Sequence, residues 1–304
     1  MQATLSTQVT GLVQLTRWQE TVPFVVPLSL MGALMALQTA GEGQGVDLRL
    51  LAVMAANILV VTYAFMINDI EDAPDDARDP ARAIRNPISS GRISPRTGYN
   101  AIRAVALLTM LFYALGGTSV FIIGGATLLL SHLYSWKPVR LKAWPVTDVI
   151  SHSLMLSGLL MMAGYFTYHN APGIAWFVIA AVTLYSVYGQ LYNQIRDFDM
   201  DKAAGLKNSA IILGEQNTRY AIWLTIGLGA ICMFAAIAQS AFPLWLGGVA
   251  AIAIAVSMVF RPKGDLRGSK VEVVGASLQI RALIVFNIIM LAWLAVVVFG
   301  QVMG

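Results

Sequence analysis

Charge is what this chain has least of. Asp, Glu, Lys and Arg make up 12% of its 304 residues while 57% are hydrophobic, against the roughly 25% charged of an ordinary soluble domain. That shortage excludes a water-soluble globule. There is one cysteine, Cys232, inside an apolar run, so no intramolecular disulfide can form and a small buried hydrophobe is the plain expectation. Met1 to Thr16 contains no Lys or Arg, where a secretory signal needs a basic start, so a cleaved leader is not expected. The alternating short segments of a transmembrane β-barrel are missing as well.

Long charge-free runs take their place: 21 residues from Thr21 to Gly41, 19 from Leu50 to Asn68, 47 from Val149 to Ile195 and 41 from Tyr220 to Phe260. One helix needs about 20 apolar residues to cross a bilayer. The expected fold is all-α, a polytopic membrane protein in a single domain over residues 1–304. Breaks such as Gly116-Gly117-Thr118 and Gln239-Ser240-Ala241-Phe242-Pro243 cut the runs into about nine spans, near 22–40, 50–68, 98–116, 119–135, 147–167, 173–194, 219–239, 242–260 and 282–301.

The basic residues are placed on one side of this pattern. Eighteen of the 20 Lys and Arg lie before span 1 or after spans 2, 4, 6 and 8, with Arg49 and Arg103 the exceptions. The positive-inside rule then puts the N-terminus and these loops in the cytoplasm, and an odd number of spans puts the C-terminus outside. The same placement accounts for the net charge of +4 through membrane topology and leaves no nucleic-acid surface.

Acidic residues are more concentrated still: six of the 16 fall in Asp69–Asp79 and three in Asp197–Asp201. Four spans separate the two windows, which suggests two four-helix halves followed by a ninth helix. In the first window Asn68, Asp72 and Asp76 recur at i, i+4 and i+8, with Asp69 three residues before Asp72, so a continuous helix would put them on one face. Pro74 would break or restart that helix, leaving the aim of Asp76 the least fixed. In the second window Asp197 and Asp201 are again four apart, and Asp199 points elsewhere.

Like charges so close at a membrane boundary demand cations. Oxygen-only donors suit Mg²⁺, which binds through one or two carboxylates plus substrate oxygens. Two such clusters on one face fit a diphosphate carried on metal, with Arg and Lys taking the remaining phosphate oxygens and the apolar bundle holding a long tail. A transporter for an anionic lipid or small molecule is the competing class, but its acidic residues belong along a mid-membrane pathway rather than at span ends.

Three segments resemble the UbiA-type intramembrane prenyltransferases, and the likeness runs over essentially the whole chain. NDIEDAPDD at 68–76 matches that family's NDxxDxxxD, NPISSGRIS at 86–94 resembles its RPLxSGxIS, and RDFDMDKAAG at 196–205 matches its DxxxD and following Gly turn. The resemblance implies nine or so helices around a central lipid-facing cavity, and Mg²⁺-dependent transfer from a prenyl diphosphate donor to a lipophilic acceptor. It implies a first metal-diphosphate site at Asn68, Asp72 and Asp76 beside Asp69, and a second at Asp197 and Asp201. Arg17 resembles a basic residue that the family places near the diphosphate.

Two departures leave roles open. Asn86-Pro87 stands where many members have Arg-Pro, with Arg85 next door as a substitute. After span 4, YSWKPVRLK at 134–142 is closer to the YSxPPxRLK form of the chlorophyll synthase and carotenoid elongase branches than to YxxxK. Lys137, Arg140 and Lys142 are therefore all candidates for the diphosphate, as is Arg196. Tyr134, Asn193 and Asp148 are candidate substrate contacts, Asp148 with His152 four residues on as a possible orienting or proton-accepting pair. Tyr134, Trp136, Tyr185, Tyr188 and Tyr192 could steady a cation by their ring faces, and His132 and His169 are expected to be structural.

Overall fold

A computed structural model of the chain describes residues 5–41, 45–203, 205–260 and 276–303, and among these there is no strand. In chain order the helices are α1 (Leu5–Thr16), α2 (Trp18–Ala40), α3 (Leu48–Asp76), α4 (Pro80–Arg85), α5 (Pro95–Leu115), α6 (Thr118–Ser135) and α7 (Thr147–Ser153). There follow α8 (Leu159–Phe166), α9 (Ala175–Arg196), α10 (Phe198–Ala203), α11 (Ser209–Leu213), α12 (Glu215–Ala238), α13 (Leu246–Val259) and α14 (Ala276–Met303). A π-helical turn, Leu154–Gly158, joins α7 and α8 into one membrane-length element.

Eight elements among the described residues are long and apolar enough to cross a membrane, counting α1 with α2. The expected ninth, α13, has 14 residues, about 21 Å at 1.5 Å per residue against an apolar core of roughly 30 Å. Among the described residues, the nine expected spans stand as eight full-length spans and one short apolar helix. The reason is local: turn bonds closing on Pro243 and Leu244 delay the helix to Leu246. Arg261, Lys263, Arg267 and Lys270, used above for sidedness, lie outside the described residues.

α2 packs against α3, α8 and α14, α3 against α5 and α6, and α9 against α7 and α12. Large apolar side chains such as Trp223, Phe234 and Ile252 stay exposed, the surface expected of a body solvated by lipid. Inside, backbones approach closely where side chains are smallest. A Cβ on Gly32 of α2 would strike the Met161 carbonyl of α8, and one on Gly164 would strike the Ser29 carbonyl, the small-residue crossing typical of membrane helices.

Among the described residues Ser131 Oγ and Arg281 Nε are buried without a hydrogen bond, but the polar groups at the helix crossings are paired, as a medium without water requires. Buried Asn57 donates to Ser29 Oγ (2.7 Å) and the Leu160 carbonyl (3.0 Å) and accepts from Tyr113 Oη (2.7 Å). Pro27 in α2 has no N–H for the Pro23 carbonyl one turn back. Asn287 of α14 supplies the missing donor at 2.8 Å.

Gly32→Val should lower the thermal unfolding midpoint of detergent-purified protein by the equivalent of about 1–3 kcal/mol of overpacking. Gly189→Ala, whose Cβ would meet nothing within 4 Å, should leave it in place. Equal midpoints for the two variants would sink the close-crossing account.

Candidate active site

α3 does not stop at Pro74 but runs on to Asp76. Pro74 has no N–H for the Ile70 carbonyl one turn back, so the last turn depends on contacts from outside the helix. The segment after α4 then grips the helix end: Ser89 Oγ donates to the Ala73 carbonyl (2.8 Å), and Asn86 Nδ2 donates to the Asp69 carbonyl (2.7 Å) and to Asp76 Oδ2 (2.9 Å). Asn68, Asp69, Asp72 and Asp76 therefore end on one wall of a cavity of about 890 Å³.

The end of α9 supplies a second part of the lining. Asp197 terminates that helix, and α10 begins at once with the Asp201 N–H bonded to the Asp197 carbonyl (2.9 Å). Asp197 and Asp201 both line the cavity, and exposed Asp199 does not. Arg17, Arg85, Tyr134, Arg140, Lys142, Asn193 and Arg196 line it too.

Each carboxylate has a partner from its own chain. Arg17 forks onto Asp69 with bonds of 2.5 and 3.2 Å while its guanidinium lies 5.3 Å from the Phe65 ring centroid. It can do so because its backbone is left-handed, φ 47°, at the break between α1 and α2. Arg140, also left-handed at φ 45°, reaches Asp72 (3.2 Å) and Asp75 (3.7 Å). Lys142 Nζ sits between Asn68 Oδ1 (2.9 Å) and Asp72 Oδ2 (2.6 Å). Arg196 pairs with Asp197 at 3.1 Å, and Asn208 donates to Asp201 at 2.8 Å.

The electrostatics follow from that crowding. Burial pulls the Lys142 ammonium below the ordinary lysine range, opposed by the neighbouring Asp72 charge. Burial, and then the charge of Asp197, pushes the Asp201 carboxyl above its ordinary value. Among the described residues no three His, Cys, Asp or Glu side chains converge closely enough to hold a metal by themselves. That donor set fits a cation such as Mg²⁺ that keeps waters and shares its coordination with a ligand's phosphates.

Two sequence candidates are not brought here. Lys137 is exposed and outside the lining. Asp148 is fully buried and absent from the lining; Ser209 gives it Oγ–H (2.5 Å) and N–H (2.7 Å), Gln194 gives Nε2–H (2.7 Å), and its own helix gives the Val149 N–H. Expected as a substrate contact, Asp148 has both oxygens occupied by groups of its own chain and ties α7, α9 and α11 together. His152 does line the cavity, with its ring centroid 6.0 Å from that of Tyr134. Arg85 turns its guanidinium to Glu20 (3.1 Å), so the neutral Asn86 amide, not Arg85, stands beside Asp76.

Of the aromatic candidates, Tyr134 alone is on the lining; Trp136, Tyr185, Tyr188 and Tyr192 are not. His132 bonds Tyr63 Oη (2.8 Å) and His169 bonds the Ala171 carbonyl (2.7 Å), both off the lining. Sequence reasoning missed Phe65, hidden in an apolar run, and Arg82, Gln190 and Asn208. Gln190 lies seven residues before Asp197, two helical turns back on the same face, which is the signal that could have found it.

A sequence model of the UbiA prenyltransferase family matches residues 25–271. The chain belongs to the UbiA prenyltransferase family. It is 30% identical over 164 residues to a lycopene elongase/hydratase of Haloarcula japonica, covering 52% of either chain, so the match spans about half of that relative's length. It is 25% identical over 233 residues to a 4-hydroxybenzoate octaprenyltransferase of Pseudomonas fluorescens, covering 77% of this chain and 76% of the other. A UbiA homologue of Archaeoglobus fulgidus, solved bound to GPP and Mg²⁺, shares the fold with a TM-score of 0.71 at 20% identity, over 94% of this chain and 99% of that one. This UbiA member is an integral, multi-pass membrane protein of the prenyltransferase class.

Asp148→Ala should cost about 1–3 kcal/mol of stability by leaving Ser209 and Gln194 without their acceptor, read as a lower unfolding midpoint. If the midpoint held while donor affinity fell, Asp148 would be a ligand contact after all.

Proposed function

We propose that this UbiA member transfers the prenyl group of a prenyl diphosphate to a lipophilic acceptor within the membrane, in a Mg²⁺-dependent reaction that releases diphosphate. The carrying observation is the meeting, in one cavity at the ends of apolar helices, of Asn68, Asp69, Asp72 and Asp76 with Asp197 and Asp201. These six residues would hold Mg²⁺. When bound, the metal neutralises the charge that develops on the leaving diphosphate. Binding of GPP with Mg²⁺ by the Archaeoglobus homologue supports this reading.

The chain's own residues do the rest. Arg17, Arg140, Lys142 and Arg196 face the diphosphate from the cavity rim, and Arg140 offers a planar fork to its oxygens. As the allylic C–O bond breaks, the electron pair leaves with the diphosphate and the carbon becomes cationic. Phe65 and Tyr134 present ring faces to that carbon. Ala64, Met155 and Leu156 on the lining hold the prenyl chain and keep water from the cation. An electron-rich carbon or oxygen of the acceptor forms the new bond and loses a proton. The motif loops and the N-terminus face the cytoplasm, which the placement of Lys and Arg supports.

The test is turnover in lipid nanodiscs with Mg²⁺, a labelled prenyl diphosphate and a panel of acceptors. Relatives named for lycopene and for 4-hydroxybenzoate call for a carotenoid and an aromatic acid in the panel. Asp72→Ala and Asp201→Ala should each reduce transfer at least about 100-fold in protein that still unfolds cooperatively; wild-type rates in both would refute the metal site. For sidedness, Arg78→Cys in a Cys232→Ala background should react with an impermeant maleimide only in inside-out vesicles. Labelling of right-side-out vesicles would reverse the topology.

A further inference from the structure

Among the cations in the cavity, Lys142 differs from the rest in what it touches. Arg17, Arg140 and Arg196 each pair with a carboxylate. Lys142 Nζ lies between two different oxygen donors, Asn68 Oδ1 at 2.9 Å and Asp72 Oδ2 at 2.6 Å, and these are two of the proposed first-cluster metal ligands. Its side chain is 15% exposed, so bulk water contributes little to its coordination. A compact ammonium held by an amide oxygen and a carboxylate occupies the position a small divalent cation would take between the same two atoms.

Both cations cannot be there at once. A +1 and a +2 charge at contact distance repel strongly where water is scarce, so they do not share one position. The lysine stem has four rotatable bonds, so the ammonium can leave Asn68 and Asp72 with no change in the backbone, and the three donors on Nζ then suit phosphate oxygens. Arg140 stays on Asp72 and Asp75 from the other side.

We propose that Lys142 is an exchangeable stand-in for the metal at the Asn68–Asp72 site. It neutralises the cluster while the cavity is empty, excludes a lone divalent cation, and yields the position when a diphosphate draws its ammonium away. Metal and donor consequently enter together. This inference rests on the metal-diphosphate reading above and adds to it an order of events and the residue that imposes it.

The experiment measures metal binding, not turnover. Mn²⁺ is titrated into the full-length protein in nanodiscs without donor, and bound ion is counted by electron paramagnetic resonance for wild type, Lys142→Met and Lys137→Met. Lys142→Met keeps most of the stem and removes the charge, and Lys137 is exposed and outside the cavity. Lys142→Met should bind Mn²⁺ at least about tenfold more tightly than wild type, equivalent to ~1.4 kcal/mol, and Lys137→Met should match wild type. An unfolding curve superimposable on wild type checks that Lys142→Met is folded. Lys142→Arg, which keeps the charge, should restore weak binding whatever Lys142→Met does to stability. If Mn²⁺ binds wild type and Lys142→Met equally, the metal site stands and the role of Lys142 falls. If no variant binds Mn²⁺ even with geranyl diphosphate added, the metal reading falls and takes this inference with it.

Discussion

The organising constraint of this molecule is the cost of holding carboxylates together where water is scarce. Asp69, Asp72 and Asp76 in one cluster and Asp197 and Asp201 in the other share a cavity at the ends of helices built to sit in lipid. Each negative charge in such a place must be matched by a positive charge or a hydrogen-bond donor. The surrounding architecture supplies the matches. The left-handed break at Arg17 directs a guanidinium to Asp69, the left-handed Arg140 directs another to Asp72, and the turn after α4 brings the Asn86 amide to Asp76. Two non-glycine residues with positive φ within one site are the kind of strain that only a strong local demand sustains.

Below the charged rim the interior answers a second demand, for satisfied backbone and polar groups without water. The Asn57 network and the bond from Asn287 to the Pro23 carbonyl meet it. They also fix the relative positions of α2, α3, α8 and α14. The α2–α8 crossing at Gly32 and Gly164 braces the element that carries His152, Met155 and Leu156 into the cavity. Stability in the apolar layer thus sets the geometry of the charged layer.

Much of this was legible from residue order. Charge-free runs identified the spans, and the i, i+4 spacing of Asn68, Asp72 and Asp76 predicted that they share a face, which Pro74 does not disrupt because Asn86 and Ser89 hold the helix end. The failures have physical causes. Asp148 has the sequence look of a cavity residue, but its burial is decided by Ser209, 61 positions away, which no local pattern reveals. Arg85 does line the cavity, but sequence order could not show that its guanidinium pairs with Glu20, 65 positions away, at 3.1 Å. The three basic residues of 134–142 were indistinguishable in sequence because the turn between them, with Arg140 at φ 45°, decides which two point inward. The length of α13 depended on where the turn at Pro243 closed, and hydropathy does not report turn closure.

The matching charges fall into two kinds, and the difference bears on how a ligand could be admitted. Arg17 is fixed three ways: by its backbone conformation, by a two-bond fork on Asp69 and by the Phe65 ring. Asn86 is fixed by four bonds, two given and two received. Removing Arg17 would leave the buried Asp69 carboxylate uncompensated, at a cost of several kcal/mol, and removing Asn86 would take a donor from both Asp76 and the Asp69 carbonyl. Such groups define the cavity and stay. Lys142 Nζ is held by two oxygens, the Asn68 amide and the Asp72 carboxylate, at the end of a flexible stem. A cavity whose counter-charges were all of the first kind would be stable and closed to metal; one with none would be too negative to fold at a membrane surface. Rigid and replaceable cations in the same site reconcile stability of the empty state with entry of a diphosphate.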